Sequence, residues 1–165
     1  MGDESTGYGC RAGEWMQGTG RERTHRLYVM SAYETSAADF FEKLKEYNAD
    51  LVLDIRRKNE SQLCGFTKKL DLEYFVNKIV HAQYIHDLNF APTQVLLDQY
   101  VKHWIGWEQY KEGYEALMEE RNIVPYFMSR YGAYPSVCIL GTDTKKRKSH
   151  SQILYSLLRM ELNEN

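Results

Sequence analysis

At 165 residues the chain has the length of one domain. Hydrophobic residues make up 43% and charged residues 27%, ordinary values for a soluble globular protein with a normal core. The net charge of -2 gives no overall pull towards nucleic acid or membranes, and no apolar run approaches the roughly 20 residues of a membrane span.

Residues 1–24 hold six of the eleven glycines and show no periodicity. A flexible leader is expected there, with a single α/β domain over 25–165. Arg26–Ser31 reads as the first strand. Ser36 opens a helix with Asp39 three residues on, and Phe40, Phe41, Leu44 and Tyr47 form its inner face. Asp50–Ile55 is the second strand: an aliphatic run cut off by Asp54 and Arg56, as where a buried parallel strand leaves its sheet. A polar loop follows. Leu72, Phe75, Val76, Ile79 and Val80 then recur at the spacing of an amphipathic helix.

Gln83–Leu88 is a third strand. Ala91-Pro92-Thr93 breaks the chain before a helix with Leu96, Leu97, Tyr100, Val101 and Trp104 on one face. Gly106 separates it from a helix carrying Trp107, Tyr110, Tyr114, Leu117 and Met118. A short helix with Pro125 in its first turn fits 122–134. Ser136–Gly141 is the fourth strand, and Ile153, Leu154, Leu157 and Leu158 mark a closing helix from Ser149. Thirteen tyrosines raise the aromatic content to 13%; their mostly helical spacing points to the core rather than to base stacking. The order predicts a three-layer α/β sandwich, with a mostly parallel four-stranded sheet and a helical insertion before the last strand.

Three strand ends should meet on one edge, where open α/β sheets bind ligands. They bring Asp54 and Arg56, then His86 and Asp87, then Thr142 and Asp143. The closing helix should start on that edge near Ser149 and His150, after Lys145-Lys146-Arg147-Lys148, and its free N–H groups favour an anion. Two readings fit Asp54 and Arg56: a ligand-binding pair, and a pair that closes on itself or caps a helix. His86 fits a site or a hydrogen-bonded core position. The basic run fits a solvated loop or a nucleic-acid contact. Asn59, Ser61, Gln62 and Lys68 belong to a loop rich in hydrogen-bonding groups, suited to ligand contact or to a self-bonded turn.

There is no phosphate-binding G-x-x-x-x-G-K-[ST], no G-x-G-x-x-G after the first strand, no G-x-S-x-G and no H-E-x-x-H. No metal or cofactor is expected. Cys10, Cys64 and Cys138 form no C-x-x-C pair, which fits a reducing cytoplasm and argues against a disulfide framework or a cysteine-rich zinc site.

Asp54-Ile55-Arg56 followed by Asn59-x-Ser61-Gln62-Leu63-x-Gly65-Phe66-x-Lys68 resembles a bacterial and archaeal family known as domain of unknown function 488. Tyr84-Ile85-His86, Ala91-Pro92-Thr93, Trp107 and Tyr110 extend the resemblance over about Leu27 to Leu158. The family usually closes with a strand ending Leu-Leu-Cys-x-Glu and a helix starting Cys-His-Arg. Here the strand ends Leu140-Gly141-Thr142-Asp143 and the helix starts Ser149-His150-Ser151. The resemblance implies a fold and a site location, and with Gly141 and Ser149 in place of the two cysteines no thiol chemistry is expected there.

Three functions are compatible with these residues. The first is a protein that binds or acts on a nucleotide or other phosphorylated small molecule. Asp54 then serves as acid/base or hydroxyl-binding group, Arg56, Lys68 and the Ser149 helix end hold the anion, and His86 or His150 moves protons. The second is a degenerate interaction module. The third is a nucleic-acid-binding module using Lys145 to Lys148 with Arg56 and Arg57.

Overall fold

A computed structural model of the chain describes residues 25–163, without the side chains of Gln62, Leu63 and Asn163. The glycine-rich stretch over 1–24 lies outside the described residues. The sheet contains β1 (Arg26–Ser31), β2 (Leu51–Asp54), β3 (Gln83–His86) and β4 (Ser136–Gly141). All are parallel, in the order β1-β4-β2-β3. Alternation along the strands sends their side chains into two cores. Leu51, Leu53, Ile55, Val137 and Ile139 face one apolar cluster, and Val52, Cys138 and Leu140 face the other.

The second cluster is closed by α1 (Ala37–Glu46) and α2 (Lys69–Phe75). The Ser36 hydroxyl caps α1 by accepting from Asp39 N at 3.1 Å. The first cluster is closed by α3 (Gln94–Val101), α4 (Trp107–Glu120), α5 (Ile123–Tyr131) and α6 (His150–Asn163). The chain is thus an α/β sandwich, with the β3–β4 connection supplying a helical insertion. Phe40, Phe90, Phe127, Tyr110 and Tyr114 are fully or almost fully buried, so these aromatics fill the cores as their spacing predicts. Among the described residues no helix is long and apolar enough to cross a membrane.

Several elements differ from the sequence reading. The helix over Leu72 to Val80 is α2 followed by a π-helical turn, Val76–Val80. A π turn takes more residues per revolution than an α turn, so Ile79 rotates off the buried face and is exposed. β3 ends at His86, because the Asp87 carboxylate accepts from Asn89 N at 2.9 Å and starts a short 3₁₀ turn. α3 ends at Val101, and His103 takes a left-handed φ of 59°. Trp104 therefore lies past the helix end, 70% exposed, rather than on its inner face.

Candidate functional site

Asp54 is the last residue of β2 and Arg56 lies two residues beyond it. Both side chains are fully buried. The Arg56 guanidinium forms a fork on the carboxylate: Nε donates to Oδ1 at 2.9 Å and Nη2 to Oδ2 at 2.8 Å. The Arg56 main-chain N–H also donates to Oδ1, and Asn59 Nδ2 and the Tyr84 hydroxyl donate to Oδ2. Arg56 Nη2 further donates to Thr67 O at 2.7 Å. The pair therefore closes on itself and clamps the β2–α2 loop to the strand end. Burial pushes the Asp54 carboxyl pKa up, but the Arg56 hydrogen bonds and charge, with Asn59 and Tyr84, outweigh it and hold the group below the usual carboxylate range.

Beyond Asp54 the chain leaves the ladder, and the carbonyls of Ile55 and Arg56 meet one histidine each. His150 Nε2 lies 2.7 Å from Ile55 O, and His86 Nε2 lies 2.7 Å from Arg56 O. A carbonyl can only accept, so in each ring Nε2 carries the proton. His150 is almost completely buried, with Nδ1 at 3.5 Å from the Tyr110 hydroxyl. Burial pushes its pKa down to about 4, against weaker opposing pulls from the Ile55 carbonyl and the carboxylates of Asp143 and Asp54. It is a neutral ring near neutral pH, with its N–H committed to a carbonyl.

The β4–α6 loop brings Asp143 to the start of α6. Asp143 accepts from Ser149 N at 2.7 Å, from Ser149 Oγ at 2.9 Å and from Ser151 Oγ. The helix end expected to attract an external anion is met by this internal carboxylate. Both serines are buried and pack against the end of β4. A Cβ on Gly141 would lie 2.2 Å from Ser151 Oγ and 2.4 Å from Ser151 Cβ. The Ser149 hydroxyl donates to a carboxylate, not to an imidazole, so the base-activated serine of nucleophilic catalysis is not assembled. Asp87, at the end of β3, accepts from the hydroxyls of Tyr126 and Tyr131 at 2.8 and 2.6 Å, and thereby fastens α5 to the same edge.

Asn59 and Ser61, with His86, line a cleft of about 470 Å³ that opens at the carboxyl ends of β2 and β3. Its other walls are Arg57, Lys58, Glu60, Lys69 and Leu88. Lys69 reaches Glu60 at 4.0 Å, and among the described residues Arg57 and Lys58 have no carboxylate within ion-pair distance. Arg57 Nη1 donates only to Pro92 O, at 3.4 Å. Lys68 stands just before α2 in extended backbone, and it is its neighbour Lys69 that lines the cleft. The Gln62 side chain lies outside the described residues.

The structure thus brings Asn59, Ser61 and His86 together, places Asp54 and Arg56 beneath them as an internal clamp, and sets Asp143, Ser149 and His150 apart around the start of α6. Sequence reasoning missed Tyr84 and Thr67 in the clamp, and Lys58 and Lys69 in the cleft. Tyr84 carried a signal: it lies two residues before His86, on the strand face that Asp54 uses. Among the described residues no group of histidine, cysteine or carboxylate side chains is arranged to hold a metal ion.

The model of a family described as Domain of unknown function DUF488 matches residues 36–158, a stretch that contains the clamp, the cleft and the start of α6. No curated protein and no solved structure matches the chain.

Proposed function

The chain belongs to the family of domain of unknown function DUF488, and on that premise we propose that it binds a phosphorylated small molecule in the cleft at the ends of β2 and β3. One observation carries this reading: Arg57, Lys58 and Lys69 converge on one concavity with a single carboxylate, Glu60, among its lining residues. The place fits as well, since α2 covers one face of the sheet there and α3 to α5 the other, the crevice in which open α/β sheets take ligands. Asn59 and Ser61 add polar groups to the cationic wall, and His86 Nδ1 has no partner among the described residues.

The Asp54–Arg56 clamp supports the site from below. It fixes the loop that carries Arg57, Lys58 and Asn59, which lowers the ordering cost of binding. This assigns Asp54 a positioning role instead of the acid/base role the sequence allows. In this reading His150, buried with its Nε2 on the Ile55 carbonyl, has a structural role in place of proton transfer. Arg56, fully buried, adds nothing to a nucleic-acid surface.

The test is a thermal-shift and calorimetric screen of inorganic phosphate, sugar phosphates and nucleotides. A ligand at 100 times its Kd stabilises the fold by about 2.7 kcal/mol. Arg57→Ala and Lys58→Ala should each shrink that effect. No stabilising phosphorylated ligand, or one whose binding ignores both substitutions, would overturn the reading.

A further inference from the structure

A second cleft, of about 530 Å³, lies between α4 and α6 on the other side of the β4–α6 loop. Trp107, the first residue of α4, lines it together with Lys111, Lys148, Gln152 and Ser156, and the apolar side chains of Ile153 and Leu157 complete the interior. The Lys148 ammonium lies over the Trp107 ring, 5.5 Å from its centroid. Among the described residues no carboxylate comes within ion-pair distance of it. Two carboxylates also line the cleft: that of Asp143 is taken up by Ser149 and Ser151, and that of Glu115 faces Lys111. Lys111 is held only loosely, with Glu115 at 4.0 Å and both side chains well exposed.

The aromatic wall is built in advance. Tyr100 stacks on Tyr110 with centroids 4.3 Å apart, and the Trp107 ring lies tilted against both at 5.9 Å. The Tyr100 hydroxyl donates to Lys148 O at 3.0 Å. One tyrosine thereby fixes the indole and, independently, the backbone that carries the cation. The cleft offers a ring face held by its neighbours, an exposed lysine whose ammonium lies over that face, a second lysine nearby, and the side chains of Gln152 and Ser156.

We propose that this cleft is a second binding site, for a nucleoside monophosphate. The base takes the Trp107 face over which Lys148 now lies, and the Lys148 ammonium moves to the phosphate with Lys111 beside it. Gln152 and Ser156 hydrogen-bond the base edge or the ribose. The site is independent of the cleft at β2 and β3, which holds no tryptophan, tyrosine or phenylalanine in its lining.

The experiment titrates adenosine 5′-monophosphate, adenosine and ribose 5-phosphate into the full chain. Binding is followed by calorimetry and by the indole N–H resonances of Trp104 and Trp107. The nucleotide should bind saturably and move the Trp107 signal while the Trp104 signal stays, and each fragment should bind about ten-fold more weakly, because stacking and charge both contribute. Trp107→Leu should weaken binding about ten-fold. Lys148→Glu, at an exposed position, should do the same, and it keeps the test open if the indole variant unfolds. Three results would overturn the site: no saturable binding up to about 5 mM nucleotide, binding unchanged in Lys148→Glu, or binding lost instead in Arg57→Ala with Lys58→Ala. The last would place the nucleotide in the first cleft, so the two sites fail separately.

Discussion

Arg56 and Asp54 are two residues apart in the chain and share a bidentate ion pair from which solvent is wholly excluded, with contacts of 2.8 and 2.9 Å. An isolated charge at that depth would be very costly, and fork geometry with further donors from Asn59 and Tyr84 is what makes it tolerable. The pair is consequently a fastening between the end of β2 and the loop before α2.

Removing one partner strands the other. Arg56→Ala is expected to destabilise the fold by about 3–5 kcal/mol. Arg56→Lys should also cost stability, because an ammonium cannot reproduce the planar fork that reaches both Asp54 oxygens and Thr67. Chemical denaturation measures both, and a loss below about 1 kcal/mol for Arg56→Ala would mean the clamp is not structural.

His150 makes stability depend on pH. Its folded pKa is depressed to about 4 from an ordinary 6.5, so the unfolded chain takes up the proton more readily. The contribution is complete above pH 6.5 and is lost as pH falls towards 4, amounting to about 3 kcal/mol at most. Asp54, also depressed, acts in the same direction but only below its ordinary 3.8. Denaturation curves between pH 7 and 4 should therefore flatten in His150→Gln.

Gly141 is required by crowding. The 2.2 and 2.4 Å approaches of Ser151 to an added Cβ mean that Gly141→Ala must push α6 or β4 aside, at about 1–3 kcal/mol. Adding Ser151→Gly should recover part of the loss, which thermal denaturation of the two variants would show.

Cys138 lies in the centre of β4, fully buried, and burial pushes its thiol up to about 12. A thiol reagent at pH 8 should label it only as fast as the protein unfolds. Labelling followed by mass spectrometry checks this, and rapid modification under native conditions would contradict the packing.

Ligand binding at the cleft of Arg57, Lys58 and Lys69 should weaken as salt is raised, since these side chains are partly open to solvent and their field is screened. Neutralising Arg57 and Lys58 together should weaken a phosphorylated ligand by about ten-fold and flatten the salt dependence.

The sequence by itself determined the order of elements, the parallel sheet and its two-sided burial, because these follow from hydrophobic periodicity, which is local and survives in one dimension. It also located the edge on which Asp54, His86 and Asp143 lie. Which partners each polar residue meets was decided only in the folded molecule. Asp54 and Arg56 read equally well as a site and as a closed pair, and the choice rests on Tyr84 and Thr67, which approach from other parts of the chain. His150 and His86 read as proton carriers, yet each is committed to one of two consecutive carbonyls that leave the sheet. Arg57 was read only as a nucleic-acid contact and Lys58 and Lys69 drew no notice, yet the folded loop brings all three to one cleft. Hydrogen-bond partners are set by distance in space, and no pattern of neighbours in the chain encodes that distance.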